Sequence, residues 1–109
     1  MKGVSMKALA AGLVTSVMLA SAGVAVAADG AALYKTKTCV ACHGADGLKP
    51  ILPTYPKVAG QNEQYLVNQM KDIKSGARNN GQTAAMKGVM HLVTDEEIAA
   101  IAKWLASVK

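Results

Sequence analysis

Apolar positions along this chain form one unbroken block and then two helical stripes, separated by irregular, turn-rich stretches. From Ala8 to Val26 the chain is apolar and uncharged. Lys2 and Lys7 precede this block, and it ends in Ala25-Val26-Ala27, the small-x-small form that a signal peptidase reads. A basic start, an apolar middle and a small-residue cleavage site predict a secretory leader over residues 1–28 that is removed on export. The block is long enough to span a bilayer, but its richness in Ala, Gly, Ser and Thr and its cleavage-type end favour removal over anchoring. The working domain is then 29–109, outside the cytoplasm.

Within that domain the pattern predicts three main helices. Asp29 can cap a short helix over Ala31 to Thr38. Asn62 can cap a second helix that runs to about Ser75, where Tyr65, Leu66, Met70 and Ile73 fall at helical spacing and Gly76 stands where a C-cap glycine belongs. Thr94-Asp95-Glu96-Glu97 is a capping box, with acids at the positive end of the helix dipole. The helix it opens runs to about Ser107, and Ile98, Ile101, Ala102, Leu105 and Val108 form its stripe. Between these elements, Ala45 to Gly60 holds all three prolines, Pro50, Pro53 and Pro56, and reads as an irregular loop. Arg78-Asn79-Asn80-Gly81 reads as a turn, and Gln82 to Val93 as a second connecting stretch. No strand and no repeat is evident, so the fold class is all-α with long loops.

Size and composition sharpen this picture. A domain of about 80 residues usually needs a staple such as a disulfide, a metal or a cofactor. Loops this long are uncommon in a compact domain unless something else orders them. Residues 29–109 carry ten basic and seven acidic residues, too mild an excess to argue for nucleic acid. The length excludes a multi-domain enzyme.

The two cysteines of the chain supply the staple. Cys39-Val40-Ala41-Cys42-His43 is C-x-x-C-H, the attachment pattern of haem c. Two thiols spaced by two residues reach the vinyl groups on one edge of the porphyrin as thioethers, and the adjacent histidine meets the iron as its proximal ligand. Three rival readings are weaker. A thioredoxin-type pair expects a βαβ context, which is missing. A zinc site would have only His43 and His91 to complete it. A Cys39–Cys42 disulfide would close a very small loop and stabilise little. For the second axial ligand, Met70, Met86, Met90 and His91 are the candidates from the residues alone. Met70 lies on an apolar helix face, where methionine usually fills core. Met86, in the connecting stretch, stands modestly ahead of Met90, and His91 would give a bis-histidine site of lower potential.

Taken together, these motifs resemble the monohaem class I c-type cytochromes, in particular the small periplasmic c-553 type and the half-domains of dihaem tandem cytochromes. The resemblance covers essentially all of 29–109. It rests on Cys39 to Gly47, on Tyr55-Pro56-Lys57-Val58-Ala59-Gly60-Gln61, on Tyr65-Leu66 with Ile73-Lys74-Ser75-Gly76, and on Met86-Lys87-Gly88-Val89 followed by Leu92 and Thr94 to Ile98. It implies one covalent haem c with its iron held by His43 and Met86, Met90 being the fallback. It implies that the Pro56 carbonyl, with Pro53 the fallback, accepts a hydrogen bond from the proximal histidine. It implies that the first and last helices cross, burying Leu33 or Tyr34 against Ile101, Trp104 and Leu105.

The function this implies is a soluble, monomeric one-electron carrier of the periplasm, not an enzyme. Its partners would be redox proteins, including membrane-bound oxidoreductases met transiently, and Lys35, Lys37, Lys49, Lys57 and Lys87 could steer that docking. The alternatives are a haem-based ligand sensor or enzyme with a displaceable Met86, and a haem subunit of a larger redox complex.

Overall fold

The computed structural model describes residues 28–109, so the leader expected over 1–28 lies, apart from Ala28, outside the described residues. Five helices follow in chain order: α1 (Gly30–Thr36), α2 (Val40–His43), α3 (Glu63–Ser75), α4 (Thr83–Met90) and α5 (Asp95–Ser107). Among the described residues there is no strand.

The three expected helices form where their caps place them. The Asp29 carboxylate accepts from the Ala32 amide at 3.2 Å, and α1 ends at Thr36, two residues early, because Thr38 turns the backbone to a φ of +66°. Asn62 accepts from the Tyr65 amide at 2.9 Å, and Gly76 closes α3 in the left-handed region. Thr94 and Glu97 exchange both bonds of the capping box at the start of α5.

A fourth helix, α4, occupies the stretch that the sequence reads as a connection. No side chain caps its N-terminus, and Gly88 interrupts it, so local signals for a helix are weak. Met86, Val89 and Met90 nevertheless share a face at helical spacing, and packing against α3 supplies the stability that the isolated segment lacks. Met86 therefore sits on a helix rather than in a loop.

Helices α1, α3 and α4 pack in turn, α1 and α3 on α5 and α4 on α3. The core joins Leu66, Met70 and Ile73 of α3 to Ile98, Ile101, Ala102 and Leu105 of α5, with Tyr34, Met90 and Val93 between them. Side chains of this size contribute roughly 1.5–3 kcal/mol each on full burial. At the α1/α5 crossing Tyr34 is completely buried and its ring centroid lies 5.1 Å from that of Trp104. Gly30 makes this approach possible, because a Cβ there would run into the Ala100 carbonyl and the Trp104 Cβ.

The proline-bearing loop is anchored at both ends. The Gly47 carbonyl accepts from the amides of Val58 and Ala59 at 3.0 and 3.1 Å, the Cys42 carbonyl from Ile51 at 3.1 Å, and the Leu105 carbonyl from Gly60 at 2.8 Å. The loop is thereby wrapped back over the single turn of α2 and tied to α5.

Candidate functional site

Helix α2 is one turn long, and its geometry arranges the Cys-x-x-Cys-His segment. The His43 amide donates to the Cys39 carbonyl at 3.0 Å and the Gly44 amide to the Val40 carbonyl at 3.1 Å. Residues three and four apart on a helical turn lie on one side, so Cys39, Cys42 and His43 project together. Gly44 ends the turn at a φ of +87°, where a side chain would meet the Lys49 backbone. The Tyr34 hydroxyl donates to the Gly44 carbonyl at 2.6 Å, tying α2 to α1. Burial is the main cause that pushes the Tyr34 phenol up to about 12.

These side chains border a cleft of about 570 Å³ that is cut into the core, a volume typical of small-molecule and cofactor sites. Its walls are mostly apolar, with Leu66, Met70, Ile73, Ile101 and Leu105 among them. Cys42 is exposed at the border and Cys39 is half-buried, and both are free thiols. Burial raises the Cys39 thiol to about 11, so in the unmodified chain it is protonated at neutral pH.

His43 is buried on the cleft wall, with Nδ1 3.0 Å from the Pro56 carbonyl oxygen. A carbonyl can only accept, so Nδ1 carries the hydrogen, and in the neutral ring Nε2 then holds the lone pair. Among the described residues no hydrogen bond partners Nε2. A buried imidazole with one nitrogen fixed and the other available has the form of an oriented metal ligand. Met86 and Met90, one turn apart on α4, also line the cleft. Met86 is half-buried, whereas Met90 is 2 % exposed within the core cluster. Met70 lines the cleft from α3. His91 is exposed at the end of α4, away from the cleft lining, and has no place in the site. Among the described residues no group of three or more His, Cys, Asp and Glu is placed to hold a metal ion. Pro53 does not line the cleft, whereas Pro56 does.

Sequence reading missed the polar part of the wall. Arg78, assigned there to a turn, lines the cleft and donates from one guanidinium nitrogen to Gln69 Oε1 at 3.0 Å. It is the one arginine of the chain, and that rarity was the available signal. Lys35, Lys37, Lys49, Lys57 and Lys87, which could steer docking, do not line the cleft itself. Lys37 is committed elsewhere, to the Leu92 carbonyl at 2.9 Å and to Glu97 at 3.4 Å.

The sequence matches the cytochrome c family model over residues 27–109. It is 46% identical over 89 residues to cytochrome c4 of Pseudomonas aeruginosa, covering 80% of this chain and 42% of that protein. It is 39% identical over 82 residues to cytochrome c-553 of Nitratidesulfovibrio vulgaris, covering 75% of this chain and 78% of that one. The crystal structure of reduced cytochrome c4 from Pseudomonas stutzeri superposes with a TM-score of 0.65 at 27% identity, over 73% of this chain and 46% of the other. The chain thus spans less than half the length of the cytochrome c4 relatives it matches.

Proposed function

Because the chain belongs to the cytochrome c family, we propose that it is a one-electron carrier in which His43 and Met86 hold the iron of a covalent haem c. The haem c characteristic of the family fits the residues present: two thiols at the border of an apolar cleft, and a buried imidazole with one nitrogen left to bind. When bound, the haem supplies an iron centre that is oxidised and reduced by one electron.

The chain's own residues do the rest. Cys39 and Cys42 would hold the haem through thioethers. The Pro56 carbonyl holds the His43 ring through Nδ1 and strengthens Nε2 as a donor. The Met86 thioether, half-buried where Met90 is committed to the core, would hold the iron together with His43 and would favour its reduced state. The apolar walls exclude water and disfavour the extra charge of the oxidised state. Arg78 offers a positive charge to the carboxylates of the porphyrin. Held by both His43 and Met86, the iron would have no site open to O₂ or peroxide, which favours a carrier over a catalyst. Cys42 and the neighbouring Ile51, 61% exposed, mark the edge where electrons would cross to a redox protein. The leader expected over 1–28 would deliver the chain to the periplasm, and no described helix is long and apolar enough to cross a membrane.

The observation that carries this reading is the buried His43 imidazole, fixed by Pro56 and sharing one cleft with Cys39, Cys42 and Met86. Spectra of the oxidised, reduced and CO-treated protein test it. Ferric protein should show the weak long-wavelength charge-transfer band of a thioether ligand, acid-acetone should leave the colour with the protein, and reduced protein should bind CO slowly. Met86→Ala should abolish the band and open the iron to CO, whereas Met90→Leu should keep both properties. Rapid CO binding by the unaltered protein would sink the carrier assignment and favour a ligand sensor.

A further inference from the structure

We propose that Lys37 and Lys74 are positioning residues for the Met86 thioether, their two ammonium groups pinning the turn that ends the helix carrying it. The proposal rests on the reading of Met86 as an iron ligand. Helix α4 is eight residues long, packs on α3, and has no side-chain cap at its N-terminus. Its C-terminal end winds down through His91, Leu92 and Val93, whose amides return to the Lys87, Val89 and Met90 carbonyls at 3.2, 2.9 and 3.2 Å. The Leu92 and Val93 carbonyls, two and three residues past Met90, lie just beyond the negative end of the helix, where a cation is favourable.

Each of those carbonyls receives a lysine from a different helix. Lys37, at the end of α1, donates to the Leu92 carbonyl at 2.9 Å, and Lys74, in the last turn of α3, donates to the Val93 carbonyl at 2.5 Å. The same ammonium groups lie 3.4 Å from Glu97 and 3.8 Å from Asp95, both in the first turn of α5. Each lysine thus joins its own helix, the α4–α5 turn and the start of α5. An exposed ion pair by itself contributes little. Here the ammonium also makes a charge-assisted bond to a carbonyl, which is about twice as strong as a neutral one, and both lysine side chains are half-buried. Leu92 is six residues from Met86, so freeing this turn frees the end of a short helix whose other end is uncapped. The His43 side of the cleft is held separately, by Pro56, Tyr34 and the Gly47 turn. The lysines therefore act on the Met86 side of the cleft and not on the His43 side.

The test is the affinity of ferric holoprotein for imidazole, which must displace the thioether to bind. Lys37→Met and Lys74→Met keep the aliphatic stem and remove the donor, Lys74→Arg keeps a cationic donor, and Lys35→Met removes an exposed lysine charge without such a bond. Imidazole should bind the Lys37→Met/Lys74→Met double variant about tenfold more tightly than wild type, the ratio one charge-assisted hydrogen bond supports. Lys74→Arg should stay close to wild type, as should Lys35→Met. An affinity within about twofold of wild type in folded variants, even with a lowered melting midpoint, would overturn the proposal and leave the lysines merely structural. An equal shift in Lys35→Met would also overturn it, as a general charge effect. If wild-type ferric protein lacks the thioether band, the ligand reading and this proposal fall together. A band present with unchanged affinity removes this proposal alone.

Discussion

Thr38 stands directly before Cys39 with a φ of +66°, in the left-handed region that a β-branched residue rarely enters. The turn has to reverse there so that the one-turn helix bearing both thiols and His43 faces the cleft, and the cost of that conformation for an ordinary side chain is about 1–2 kcal/mol. Asparagine tolerates it far better. Thr38→Asn should therefore raise the stability of the holoprotein by about 1 kcal/mol, read as a higher denaturant midpoint, with the visible spectrum unchanged. At His43 a single carbonyl decides the chemistry. Nδ1 bound to Pro56 places a hydrogen on that nitrogen and leaves Nε2 as the one that can serve the proposed iron bond.

The crossing of α1 on α5 depends on a missing side chain. In a free helix Gly30→Ala would be favourable by up to about 1 kcal/mol. Here the new Cβ would overlap the Ala100 carbonyl and the Trp104 Cβ, and backbone atoms cannot rotate away. Overpacking of this kind costs about 1–3 kcal/mol, so the clash wins and Gly30→Ala should lower the denaturant midpoint. At the start of α5, the hydrogen bond from the Thr94 backbone and the nearby Lys37 hold the Glu97 carboxyl below the usual carboxylate range. A carboxylate whose folded pKa is depressed stabilises the fold above its unfolded pKa, about 4.3, and loses that contribution as pH falls through the lower folded value. Wild type should thus lose stability on acidification below the ordinary glutamate range. Glu97→Gln, which keeps an acceptor but no charge, should flatten that part of the pH–stability curve. An unchanged slope would mean that the box does not depend on charge.

In the whole molecule, the cleft removes the centre from an already small core. Left as a dry void, about 570 Å³ at about 24 cal/mol per Å³ has an upper-bound cost of about 14 kcal/mol, comparable to the entire stability of a domain this size. The cofactor therefore completes the core as well as supplying the redox centre. The Cys39→Ala/Cys42→Ala double variant, made so that no haem can be attached, should lose most of its far-ultraviolet helical signal at room temperature, whereas the haem-bearing protein keeps it. A haem-free chain that stayed helical and melted cooperatively would contradict this.

What could be read from the sequence was what neighbours within about four residues decide. The caps at Asp29, Asn62 and Thr94, the stripes of α3 and α5, and the cysteine spacing that puts two thiols and an imidazole on one turn all act over that range, so their elements appear close to where the pattern places them. Pro56 was named by family pattern, because nothing in thirteen residues of loop sequence says which carbonyl will meet the imidazole. Helix α4 was missed because its stability comes from α3 and not from its own residues. Arg78 was marked only by its rarity, which says nothing of the cleft wall it joins, and the lysines on the Leu92 and Val93 carbonyls, 55 and 19 residues from their partners, carried no signal: side chains with no local partner are placed only when the folded chain brings a distant one within reach.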